Sequence, residues 1–276
     1  MKTTTFLSLL VSVVLLSCVG KPVQDERVVT VTIEPLRYFT EQIAGDKFKV
    51  VTMVPKGGNP ETYEPSTKQM MDLLVSDLYI KVGNIGFERT WMQKLEANAP
   101  HSIIVDSSEG VTPLRTPHGD VDPHTWMSVV NARIIARNIC QALVQIDSKD
   151  SICFQANLKQ LLQQIDDVDA SIRKTLTESK TRSFLIYHPV LTYFAHDYNL
   201  NQIAMEEEGR EPSASQLKNV IMDARSKGVK TFFVQNEFAN RNIDIVAEET
   251  QTTKTVINPL GYNWNEEMLK VAKSLR

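Results

Sequence analysis

The stretch ICFQANLKQLLQQIDDVDASIRKTL, residues 152–176, decides how the rest of the chain is read. Ile152, Leu158, Leu161, Leu162, Ile165, Val168, Ile172 and Leu176 recur at intervals of three and four, and no glycine or proline interrupts them. That spacing puts the apolar side chains on one face of an α-helix, roughly 35–40 Å long at 1.5 Å per residue, about the width of a domain. We read residues 151–178 as a stiff strut joining a half at 28–150 to a half at 179–276. The same pattern would also fit a core helix of one larger domain.

Both flanks of the strut have the same organisation. Before it, β-rich runs at 28–33, 48–54, 77–82 and 102–105 alternate with helical patterns at 36–44, 66–75 and 87–97. Gly45 is placed to close the first helix, and Met70, Met71, Leu74 and Val75 fall on one side of the second. After it, runs at 182–187, 202–205, 231–235 and 254–257 alternate with helices, the clearest beginning at Ser213, which has capping-box spacing to Gln216, and stopping at Gly228. Strands alternating with helices predict parallel sheets. The expected fold is therefore α/β: two similar lobes, each with a parallel four-stranded sheet, joined by a long rigid helix.

The first residues bear on location. Lys2, an apolar run from Phe6 to Leu16, and Leu15-Leu16-Ser17-Cys18 read as a secretion signal over 1–17 with Cys18 as the lipidated first residue of the exported protein. Residues 18–27 then form a polar tether, and the acyl chains hold the protein at a membrane. The chain is 42% hydrophobic and 23% charged, values of a globular protein with a substantial core. A net charge of −3 without a Lys/Arg-rich patch argues against nucleic acid as a partner. The other two cysteines, Cys140 and Cys153, are expected to be separate thiols rather than a disulfide.

Candidate chemistry collects where strands end. His188 stands in Tyr187-His188-Pro189 directly after a β run, and His124 in Asp122-Pro123-His124-Thr125-Trp126. In open parallel sheets the ligand crevice lies beyond the carboxyl ends of the strands, and adjacent prolines fix the backbone that aims each imidazole. Two further loops follow strands: residues 54–66, rich in proline and glycine and carrying Glu61, and Asn258-Pro259-Leu260-Gly261. Taken singly, each of these residues also fits a structural or surface role.

Taken together, Pro55 to Pro65, Asp122-Pro123-His124-Thr125-Trp126, His188-Pro189 with Tyr193-Phe194-Ala195-His196-Asp197-Tyr198, Glu211-Pro212-Ser213 and Asn258-Pro259-Leu260-Gly261 resemble, in order, the solute-binding proteins of zinc and manganese ABC importers, the ZnuA/TroA/PsaA-like family. The resemblance runs from about Val28 to the C-terminus. It implies one divalent metal in the cleft between the lobes, held by Glu61, His124 and His188 with Asn258 at a fourth position, in a monomer that is not an enzyme. It also implies an importer permease, with its ATPase, as partner. The sequence departs from the family at two places: Glu61 stands where zinc-type members have histidine, and Asn258 where many have aspartate.

Two imidazoles and a carboxylate form a normal Zn²⁺ set, the last position open to water or the second oxygen of Glu61. Manganese prefers more oxygen and more negative charge, so the expected ion is Zn²⁺, with Mn²⁺ or Fe²⁺ as alternatives. The histidines bind only when neutral, so uptake should weaken as the pH falls through about 6. A zinc hydrolase and a surface adhesin with incidental metal binding are the competing functions. Glu64 is second to Glu61 as an acidic ligand, His118 marks a shortened loop, and His101 and His196 are expected at the surface. The acidic run 206–208 reads as solvated, and Trp126, Tyr63 and Tyr187 as packing around the cleft.

Overall fold

The computed structural model describes residues 27–179, 181–206, 211–235, 238 and 241–276; the leader and Cys18 lie outside them. The first half holds strands β1 (Val28–Val31), β2 (Lys49–Thr52), β3 (Ser76–Lys81) and β4 (Ile103–Asp106) in the order β2-β1-β3-β4. The second half repeats that order as β6-β5-β7-β8, from β5 (Ser183–Ile186), β6 (Asn201–Ala204), β7 (Thr231–Gln235) and β8 (Thr253–Ile257). Every pairing in both sheets is parallel. Central strands such as Ser183–Ile186 are buried along their whole length, as strands covered on both faces must be.

The strut is α5 (Ser151–Thr177), 27 residues and about 40 Å long. It buries Phe154, Leu158, Leu161, Ile165, Val168, Ile172 and Leu176. Ile152, expected on that stripe, is 85% exposed, because the buried face starts two residues later, at Phe154. α5 packs against α1 (Glu34–Ala44), α4 (Val129–Ile146) and the last helix, α9 (Trp264–Lys273). Pro35 opens α1, where its missing N–H costs nothing, and Gly45 closes it at φ +62° with its N–H donated to the carbonyl of Glu41.

One expected face is not buried. Helix α2 (Thr67–Leu73) buries only Leu73, and Met71, Leu74 and Val75 are 63%, 51% and 69% exposed. The helix stops two residues short of the expected end, because the chain turns there to enter β3 at Ser76. Its start is as the sequence indicates: Ser66 and Gln69 form a capping box, as do Ser213 and Gln216 at the head of α7 (Ala214–Ser226).

A single core runs from the first sheet through α5 and α9 to one face of the second sheet, where Phe184, Ile186, Phe233 and Ile257 point inward. Leu185, Phe232 and Val234 alternate onto the opposite face and form a separate, smaller core under α7 and α8 (Arg241–Thr250). The lobes are also tied by buried hydrogen bonds. Trp126 donates its indole N–H to the carbonyl of Pro259 at 2.8 Å, and Trp264 donates its own to the carbonyl of Trp126 at 2.7 Å. Cys140 is buried and Cys153 exposed, both as free thiols. No helix among the described residues is long and apolar enough to cross a membrane.

Candidate metal centre

His124 is aimed by its own loop. Its backbone N–H and its ring Nδ1 both reach Oδ1 of Asp122, at 2.9 and 2.8 Å, and the side chain is 9% exposed. Tyr193, on α6 (Thr192–Asp197), fixes the same segment by donating its hydroxyl to the carbonyl of Asp122 at 3.0 Å. Burial pushes the Asp122 carboxyl up, but the charge of His124, its hydrogen bonds and one from Thr192 outweigh that, and hold it below the ordinary carboxylate value. Trp126 packs edge-on to the ring from a single 3-10 turn, Thr125–Met127.

His188 is held the same way from the other lobe. It stands two residues beyond β5, its backbone carbonyl accepts from Gln235 Nε2 at 2.9 Å, and its ring stacks on Phe238. Nδ1 lies 3.0 Å from Oε2 of Glu206. Glu206, expected to be solvated with the two acids after it, is 4% exposed. It lies just past β6 at the carboxyl end of a parallel strand, so its side chain enters the cleft. Glu207 and Glu208 fall outside the described residues.

The two Nε2 atoms face each other at 3.3 Å. An ionised carboxylate only accepts, so each ring in its neutral form carries its hydrogen on Nδ1 and leaves the Nε2 lone pair bare. Two lone pairs at that distance repel unless a cation lies between them. With Zn–N bonds of 2.0–2.1 Å and tetrahedral angles, two ligating nitrogens stand about 3.3–3.4 Å apart, so the pair already has zinc spacing.

A recess of about 410 Å³ opens beside the pair, with Glu61, Gln235, Phe238 and Leu260 among its walls. Glu61 comes from the loop after β2, and its backbone N–H is donated to Asn59 Oδ1 at 2.9 Å. Its Oε2 accepts from the Gly86 N–H at 3.1 Å, at the start of α3 (Gly86–Asn98), and lies 3.8 Å from Arg89. Gly86 allows that approach, since a β-carbon there would come within 2.7 Å of the Glu61 carbonyl oxygen. Held against α3, Glu61 does not close on the imidazoles: among the described residues no three His, Cys, Asp or Glu side chains reach metal-binding spacing.

The structure thus brings Glu61, His124 and His188 to one recess and leaves Asn258 outside it. Asn258 lines a neighbouring recess with Glu34 and Lys56, and its N–H is donated to Glu267 Oε1 at 2.7 Å. Leu260 lines both recesses. Glu64 is exposed, as are His101, His118 and His196. Trp126 lines the site, whereas Tyr63 packs on Phe87 and Tyr187 on Phe238, behind His188. Sequence reasoning missed Glu206 and assigned Asp122 no role of its own.

Known proteins resemble this chain in sequence and in overall fold. The chain is 26% identical over 264 residues to the high-affinity zinc uptake system protein ZnuA of Bacillus subtilis, covering 89% of this chain and 82% of that protein. It is 29% identical over 267 residues to a metal ABC transporter substrate-binding lipoprotein of Lactococcus lactis, covering 89% and 84%. A crystal structure of ZnuA superimposes with a TM-score of 0.86 at 33% identity, over 90% of this chain and 97% of that one. The family model for zinc-uptake complex component A, periplasmic, matches residues 29–273, and the chain belongs to that family.

Proposed function

We propose that this protein captures a divalent transition-metal ion, zinc, between its lobes outside the cytoplasm and delivers it to the permease of an ABC importer driven by its ATPase. The observation that carries the proposal is the pair of Nε2 atoms 3.3 Å apart, one on each lobe, each imidazole backed by a buried carboxylate. Ligating histidines commonly donate their second N–H to a carboxylate, which fixes the ring and raises its basicity. In this reading Glu61 turns from Gly86 to complete a triad, and water or its second oxygen takes the fourth place, since Asn258 lines the other recess.

Two imidazoles and one carboxylate favour zinc over manganese, which prefers more oxygen donors. The ion is cargo, and the residues suit carrying rather than reaction. Asp122 and Glu206 lie on the Nδ1 edges, away from any water on a metal at Nε2, so neither is placed as the general base a hydrolase needs. Export and anchoring through Cys18 belong to the same proposal, supported by the lipoprotein named in Lactococcus lactis.

Because the ligands come from two lobes, parting the lobes removes one imidazole and frees the ion, so release to a permease needs only a small motion about the α5 strut. The ion choice is tested at Glu61. Competition against a chelator should show zinc held far more tightly than manganese, and Glu61→His should keep zinc within about tenfold of wild type or tighten it, since imidazole serves zinc equally well. Zinc affinity lost in that variant, or manganese preferred by the wild type, would refute the assignment of ligands and ion.

A further inference from the structure

We infer that Glu206 is a positioning residue whose charge, acting through His188, sets how tightly this site holds a divalent cation; the inference rests on the reading above of His188 as a ligand. The two acids behind the histidines are buried alike but satisfied differently. Asp122 accepts from both the backbone N–H and the ring of His124. Glu206 has the His188 Nδ1 on Oε2 only, and Oε1 is buried with no hydrogen-bond partner among the described residues. Among the described residues its ion-pair partner is His188, and no lysine or arginine pairs with it.

A carboxylate buried with so few partners destabilises a fold, because its lost hydration is not replaced. Its partner changes character when a dication binds. Positive charge drawn onto the imidazole from Nε2 makes Nδ1–H a stronger donor, and the attraction to Glu206 grows in a site screened little by water. Glu206 therefore weakens the empty protein and strengthens the loaded one. A merely architectural hydrogen bond to His188 would be met equally well by a neutral acceptor, and it would leave no orphaned oxygen.

Glu206→Gln separates these roles, since it keeps the side-chain size and an accepting oxygen and removes the charge. Measured by chelator competition, its zinc Kd should rise by about 10–100-fold, the range typical of groups behind a metal ligand, while the metal-free protein melts no lower than wild type. A zinc Kd within about threefold of wild type, or a metal-free melting temperature that falls together with affinity, overturns the inference. Glu206→Leu, which loses the acceptor too, should weaken zinc further and release His188 from a single Nδ1–H tautomer, read from its imidazole ¹⁵N shifts; an unchanged tautomer overturns the positioning role. His188→Ala, run in parallel, distinguishes the two levels. Wild-type zinc affinity in that variant removes the reading of the site and this inference with it, whereas a large loss there beside unchanged Glu206→Gln removes this inference alone.

Discussion

His124→Ala and His188→Ala are each expected to weaken zinc binding by more than about a hundredfold, beyond the loss typical of a group that only supports a ligand. Each substitution removes one of the two nitrogens already at metal spacing and leaves the acid behind it, Asp122 or Glu206, buried without its imidazole. The remaining histidine and Glu61 would offer two donors, too few to displace the hydration of a transition metal from a shallow recess. Asn258→Ala, in contrast, should change zinc affinity little, because its side chain lines the neighbouring recess. Titration calorimetry on chelator-stripped protein distinguishes these outcomes directly, and wild-type behaviour of both histidine variants would exclude the site.

The second large effect is expected at Trp126. Its ring is 1% exposed, its N–H is bonded to Pro259 and its carbonyl to the indole of Trp264, so one residue of the first lobe is locked to two of the second. It also packs against the His124 ring. Trp126→Ala should cost about 3–5 kcal/mol of stability from cavity formation, with the unpaired carbonyl of Pro259 adding to it. Because those contacts hold the lobes in register, zinc affinity should fall as well, even though no ligand has been touched. Urea unfolding of the metal-free protein measures the first effect and chelator competition the second. Loss of stability with unchanged affinity would mean that the Trp126 lock does not align the histidines.

Much of the fold was legible because burial writes itself into strands. The runs at 28–33, 184–187 and 231–234 are continuous apolar or β-branched stretches of the kind that doubly covered parallel strands accommodate. The strut was legible from the spacing of Leu158, Leu161, Ile165, Val168, Ile172 and Leu176. What misled was local. Met71, Leu74 and Val75 have helical spacing but no partner surface, since periodicity reports what a helix could bury and not whether anything covers it.

At the site, His124 and His188 were visible because proline sits beside each and a strand or a constrained loop precedes it. Glu206 was not, because a run of three glutamates reads as solvated when composition is weighed over position. Its location one residue beyond buried Met205, past the end of β6, was the signal that its side chain enters the crevice. Asn258 shows the opposite limit. It too follows a parallel strand, β8, yet Pro259 and Leu260 carry the wall of the histidine recess and turn Asn258 into the next one. A position at a strand end identifies the crevice, but which part of it a side chain lines depends on the following turn.

The most direct measurement is anomalous scattering at the zinc edge from crystals of protein purified without chelator, together with its metal content. About one zinc per chain is expected, with a single anomalous peak between Nε2 of His124 and Nε2 of His188, about 2.0–2.1 Å from each. A peak elsewhere, or protein that retains manganese or no metal, would contradict it.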